Sequence, residues 1–111
     1  MSTDREAEVL ARINRARAQL VATGELGTRI GGGRAPARSD VFKQAAAEIH
    51  AAEQARNRLL VELVGAADTV PLELARRLGL TGREAAHVVE TARSGSRRMR
   101  AHVLGEPETA G

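Results

Sequence analysis

The 111-residue chain contains no cysteine, no tryptophan and no tyrosine, and Phe42 is its single aromatic residue. The missing cysteine excludes a disulfide framework, a thiol nucleophile and every cysteine-ligated zinc or iron–sulfur centre. The scarcity of aromatic rings removes the stacking platforms on which RNA and single strands are usually held. No apolar run approaches the roughly 20 residues that a helix needs to cross a bilayer. The first residues, Met1-Ser2-Thr3-Asp4-Arg5-Glu6, lack the apolar stretch of a signal peptide, so a cytoplasmic location without a membrane partner is expected.

Charge is present but nearly balanced, with 17 basic residues against 14 acidic ones and a net of +3. Every basic residue except Lys43 is arginine, which keeps its proton at high pH and raises the isoelectric point accordingly. The distribution is uneven. Between Arg76 and Arg100, seven arginines stand against two carboxylates, Glu84 and Glu90. A local basic stretch of this kind points to a polyanionic partner.

The hydrophobic pattern is helical throughout, with no strand signal, and predicts an all-α fold of four helices. Thr3-Asp4-Arg5-Glu6 reads as a capping box, followed by Val9, Ile13, Ala16 and Leu20 on one face of a helix ending near Ala22. Residues 1–23 are thus an amphipathic helix. Residues 24–38 are a flexible Gly/Arg linker in which Gly31-Gly32-Gly33-Arg34 lacks the Lys-Ser/Thr end of a phosphate loop. An arm placing Arg29, Arg34 and Arg38 in a DNA minor groove is a minor alternative for this segment. Ser39 or Asp40 caps a second helix whose stripe runs Phe42, Ala45, Ile49, Ala52, Leu59 and Leu63, interrupted by Arg56, up to Gly65. Pro71 opens a short third helix through Leu78, and Thr81-Gly82-Arg83-Glu84 is a second capping box opening the fourth. Gly95 interrupts that last helix, and residues 105–111 read as a disordered tail.

Within this layout Pro71 to Glu90 resembles the helix-turn-helix of DNA-binding proteins. Ala75 stands at the small position of the first helix, Gly79 opens the turn, and Leu74, Leu78, Leu80, Ala85 and Val88 take the inward positions. The run Leu74-Ala75-Arg76-Arg77-Leu78-Gly79-Leu80-Thr81 is similar to one in small bacterial regulators and in the DNA-reading end of sigma-type factors. The resemblance implies that residues 39–104 form a DNA-binding domain with a three-helix unit around residues 71–90. Its second helix would enter the major groove by its N-terminal residues. Thr81, Gly82, Arg83, Ala86, His87 and Glu90 would then face the duplex, with Arg83 suited to guanine O6 and N7. Arg76, Arg77, Arg93, Arg97, Arg98 and Arg100 would hold phosphates. One such unit reads few bases, so a homodimer joined through Val9, Ile13, Leu20, Phe42 and Ile49 is expected, the alternative being that the first helix folds back onto the second within the chain, which the linker is long enough to allow.

Other classes receive less support. His50, His87 and His102 belong to no nucleophile–base arrangement, and Glu84-x-x-His87 has no matching second pair for a di-metal bundle. No enzyme activity, metal, cofactor or small-molecule ligand is expected. The rival from another class is a helical protein-interaction module, an adaptor, antitoxin-like or polymerase-binding factor using the long second helix.

Overall fold

The computed structural model describes residues 2–27, 30, 31, 33 and 37–108, without the side chains of Ser2 and Thr3. The expected Thr3–Glu6 capping box and the Arg29 and Arg34 portion of the minor-groove arm therefore lie outside the described residues, as does the end of the expected tail. Two long helices, α1 (Ser2–Ala22) and α2 (Asp40–Val64), run antiparallel and pack along one another. Ile13 and Ala16 of α1 and Ala45 and Ala52 of α2 are buried between them. The alanines bring the backbones close but remove little apolar area each. Ion pairs along the seam add Arg5–Glu62, Arg12–Glu48 and Arg17–Glu53. Exposed pairs of this kind contribute about 0–1 kcal/mol each and mainly set the register.

The hairpin closes on itself. Ser39 caps α2, its Oγ accepting from the Phe42 amide at 3.1 Å, while the Ser39 amide donates to Glu25 Oε1 at 2.9 Å. Arg38 donates to the Glu25 carbonyl and lies over the Phe42 ring at 4.4 Å. The two ends of the Gly/Arg linker are therefore joined, so α1 folds back onto α2 within one chain.

The dense apolar end of α2 carries the rest of the molecule. Leu59, Leu60 and Val64 meet Leu74, Ala75 and Leu78 of α3 (Leu72–Arg77), and Leu80, Ala85, Val88 and Val89 of α4 (Gly82–Ser94). Val9 of α1 packs against the same cluster.

Five helices are present among the described residues, where the sequence predicts four. The chain leaves helical geometry at Gly95, and Ser96 starts a separate α5 (Arg97–Leu104) by accepting from the Met99 amide at 3.2 Å. A Cβ on Gly95 would stand 2.6 Å from the Thr91 carbonyl oxygen, so the break requires glycine. The C-terminal unit accordingly has four helical parts, counting the end of α2.

The last turn of α5 docks on a polar row of α2. Gln54 Nε2 donates to the carbonyls of Ala101 and His102 at 3.3 and 3.0 Å, and Asn57 Nδ2 to that of Val103 at 2.8 Å. Arg58 Nη1 donates to that of Leu104 at 2.6 Å. The last four carbonyls of α5, of which that of Ala101 also accepts from the Gly105 amide, are thus all engaged by one neighbouring helix. Asn57 is buried for this reason.

Candidate nucleic-acid interface

The turn between α3 and α4 is built from local backbone bonds. Gly79 has φ 75°, a left-handed conformation that costs glycine nothing. The Leu80 amide donates to the Ala75 carbonyl at 2.9 Å and the Gly79 amide to that of Arg76 at 3.0 Å. These two bonds make a Schellman closure of α3. Ala75 and Ala85 are fully buried, Leu80 nearly so, and the absence of larger side chains at the two alanines lets α3 and α4 cross closely.

The start of α4 is fixed by a complete capping box. Thr81 Oγ1 accepts from the Glu84 amide at 3.1 Å and Glu84 Oε1 accepts from the Thr81 amide at 2.9 Å. The bond from the Thr81 amide, then the Thr81 side chain, holds the Glu84 carboxyl below its ordinary range. Glu84 therefore has a structural assignment.

With Ala85, Val88 and Val89 turned inward, the opposite face of α4 presents Arg83, Ala86, His87 and Glu90, all exposed. Gly82 is half-buried beside Leu72, whose Cδ1 lies 3.5 Å from where a Cβ would stand. Arg83 has no ion pair or hydrogen-bond partner for its guanidinium among the described residues. The residues singled out for base contact thus share one solvent-facing stripe.

The six arginines expected at phosphates divide into two groups. Arg76, Arg97 and Arg98 are exposed and carry no ion pair among the described residues. The other three are committed within the chain. Arg77 donates to the buried Glu6 carboxylate at 3.1 Å, tying α3 to α1. Arg93 Nη2 donates to the carbonyls of Gly65 and Ala67 at 2.9 and 2.6 Å, capping the end of α2. Arg100 grips Glu106 through Nε and Nη2 at 2.8 and 2.7 Å and also reaches the Ala92 carbonyl. That grip raises the Arg100 pKa above its ordinary value and orders part of the expected tail.

The proposed subunit contacts are also redistributed. Ile13 is 2% exposed within a single chain, and Val9, Leu20, Phe42 and Ile49 are half-buried by intrachain packing. They line the α1–α2 seam or its flanks, so the apolar stripe that predicted an intersubunit face finds its cover in the same chain. Larger apolar exposure lies at the closed end of the hairpin, at Val21, Leu26 and Val41.

Two features escaped sequence reading. Arg56 sits half-buried where α2 meets α4 and α5, with Nε and Nη2 at 3.3 and 3.2 Å from Asn57 Oδ1. Burial pulls its pKa below the ordinary arginine value, and Glu53 partly offsets this. Its only sequence signal is a charge in the apolar register of α2. The rings of His50 and His102, 52 residues apart, meet with centroids at 5.0 Å. No group of three potential metal-ligating side chains occurs among the described residues, and no helix there is long and apolar enough to cross a membrane.

The geometry defines an all-helical protein in which a long hairpin carries a short helix, a glycine turn and an exposed, arginine-bearing helix. No family model, curated protein or solved structure matches the chain.

Proposed function

We propose that the chain binds double-stranded DNA in a sequence-specific manner through a helix-turn-helix formed by α3 and α4, and acts as a transcriptional regulator. The observation that carries this reading is the pairing of a buried small-residue crossing with an outward α4 stripe on which Arg83 is uncommitted. Arg83 would read guanine, Ala86 and His87 would meet neighbouring base edges, and Thr81 would donate to a phosphate oxygen. Arg76, Arg97 and Arg98 would supply the non-specific phosphate contacts. Two half-sites read by a dimer would give a usable site length, with Val21, Leu26 and Val41 as the apolar surface left for the contact.

The test is selection from a randomised duplex library, followed by fluorescence anisotropy on the enriched duplex and a scrambled one. Arg83→Ala should cut the preference for the selected sequence by roughly 5- to 150-fold, the worth of one bidentate base contact, and leave helicity unchanged. An unenriched library, with no duplex bound at low salt, would overturn the reading.

The exposed apolar end of the hairpin favours a second reading, a helical protein-interaction module. Arg83→Ala separates the two. Under the second reading it should have no effect on capture of a protein partner, whereas Val41→Lys should abolish that capture.

A further inference from the structure

A groove of about 400 Å³ runs between α4 and the loop that joins α2 to α3. Its volume falls within the roughly 300–1,000 Å³ usual for small-molecule sites. Val64, Val70 and Val89 supply apolar surface, and the first turns of the α4 wall contribute only Gly82 and the methyl of Ala86, ahead of Val89, Glu90, Arg93 and Ser94. Small residues one helical turn apart keep the groove open where larger side chains would fill it. Two carboxylates line it, Asp68 and Glu90. Both are exposed, and neither makes an ion pair among the described residues. The one cation in the lining is Arg93, whose Nη2 is occupied by the Gly65 and Ala67 carbonyls.

We propose that this groove is a binding site for an organic cation with an apolar body, of the alkyl- or arylammonium class. The valines take the apolar body and the Asp68 and Glu90 carboxylates pair with the charged head. Charge selects the class. An anionic ligand of the same shape would meet two unpaired carboxylates against the single positive charge of Arg93, so the net negative lining would oppose it. A neutral ligand would gain the apolar contact alone. The carboxylates keep access to water, so pairing them with an ammonium group avoids the large desolvation cost of a buried ion pair.

The site also has a consequence for DNA, which rests on the reading proposed above. Gly82, Ala86 and Glu90 belong both to the groove and to the α4 surface assigned to the duplex. A body lodged against Ala86 occupies the space a base edge would need, so ligand and duplex exclude one another. The groove would be the effector site of the regulator, and Glu90, an acidic residue on a surface meant for phosphates, has its role there.

The experiment titrates the isotopically labelled full chain with n-octylammonium, n-octanoate and 1-octanol at equal ionic strength, followed by NMR. Octylammonium should give saturable shifts confined to Val64, Val70, Gly82, Ala86 and Val89. Replacing both carboxylates, Asp68→Asn with Glu90→Gln, should weaken octylammonium by about 2- to 30-fold, the range that two partly exposed ion pairs supply, and leave octanol unchanged. Equal affinity for octylammonium and octanoate, shifts elsewhere, or no saturation would overturn the site. In a second arm, octylammonium should release the selected duplex at concentrations where matched KCl does not, and the double variant should resist release. A duplex that stays bound to ligand-saturated protein would overturn the exclusion. Failure of any duplex to bind overturns the DNA reading alone, because the NMR titration decides the groove independently.

Discussion

The salt dependence of the proposed DNA binding tests the division of the arginines directly. Each phosphate neutralised by a bound cation releases counterions, so the slope of log affinity against log salt is about −0.9 per contact on duplex DNA. Six phosphate contacts, one for every arginine expected from the sequence, would give a slope of about −5.4 per protomer. Of these six, only Arg76, Arg97 and Arg98 are uncommitted among the described residues, since Arg77, Arg93 and Arg100 are held by Glu6, by the end of α2 and by Glu106. Three contacts give a slope of about −2.7, and counting Arg83 in the groove brings it to about −3.6 at most. Between about 50 and 200 mM salt the affinity should then fall by roughly 40- to 150-fold, where six contacts would cost roughly 2,000-fold.

Anisotropy titrations of a labelled selected duplex over that salt range, with stoichiometry measured alongside, give the slope per protomer. Arg98→Ala should reduce its magnitude by about 0.9. Arg100→Ala should leave the slope unchanged and instead lower the urea midpoint, because it releases Glu106 and the Ala92 carbonyl. A slope near −5 per protomer would refute the reasoning. So would an Arg100→Ala variant that loses as much slope as Arg98→Ala, since the internal ion pair would then not be holding that side chain away from the duplex.

Two further predictions concern the scaffold. Asn57→Leu keeps side-chain volume but orphans the buried Val103 carbonyl, a loss of about 1–3 kcal/mol, and removes the acceptor of the half-buried Arg56 guanidinium, about 1.5–3 kcal/mol more. Urea unfolding followed by circular dichroism should show a total of about 2.5–6 kcal/mol, and a change under about 0.5 kcal/mol would mean that α5 does not depend on this row. Bonds from Arg12, Arg5 and Thr81 hold the carboxyls of Glu48, Glu62 and Glu84 below their ordinary value of 4.5. A depressed folded-state pKa contributes stability above the unfolded value and loses it as pH falls through the lower folded value. The urea midpoint should therefore stay level on this account from about pH 7 to pH 5 and decline below about pH 4, and a decline that begins above pH 5 would need a different group.

What the sequence made legible was local. The Thr81–Glu84 capping box, the Ser39 cap, the Gly79 turn and the burial of Ala75, Leu78 and Ala85 all follow from residues within a few positions of one another. Their physics is backbone satisfaction and helical period, and neither needs knowledge of the rest of the chain. What stayed hidden depends on distant partners. Nothing near Arg77 announces that its partner is Glu6, 71 residues earlier, and nothing near Val103 announces Asn57, 46 residues away. Charge runs report cations without reporting which are already engaged, so Arg93 and Arg100 looked equivalent to Arg97 and Arg98. The apolar stripe of α1 was equally ambiguous. Its period required a partner helix, but periodicity is the same whether that partner belongs to the same chain or to a second copy. In the structure Ile13 is covered within the same chain, in a hairpin whose end is bridged from Ser39 to Glu25.

These long-range commitments also say why a chain with so modest a core would devote Ser2–Ala22 to a helix outside the α3–α4 unit. The apolar cluster around Leu60 and Leu78 draws on short helices, and α3 is only six residues long, well below the length at which an isolated helix persists in water. Its orientation therefore has to come from packing. Leu74 and Leu78 provide one side of that packing, and the Arg77–Glu6 bond provides the other by fastening the end of α3 to the start of α1. Because α1 is itself clamped along α2, α3 is referenced to a helix pair rather than to the end of a single helix. The same logic explains the commitment of Arg93 and Arg100, which fix α4 to the end of α2 and α5 to the segment after it. Arginines engaged in this way are not available to a polyanion, yet they fix the helices from which Arg83, Arg97 and Arg98 project, and a backbone already in place loses less freedom on binding.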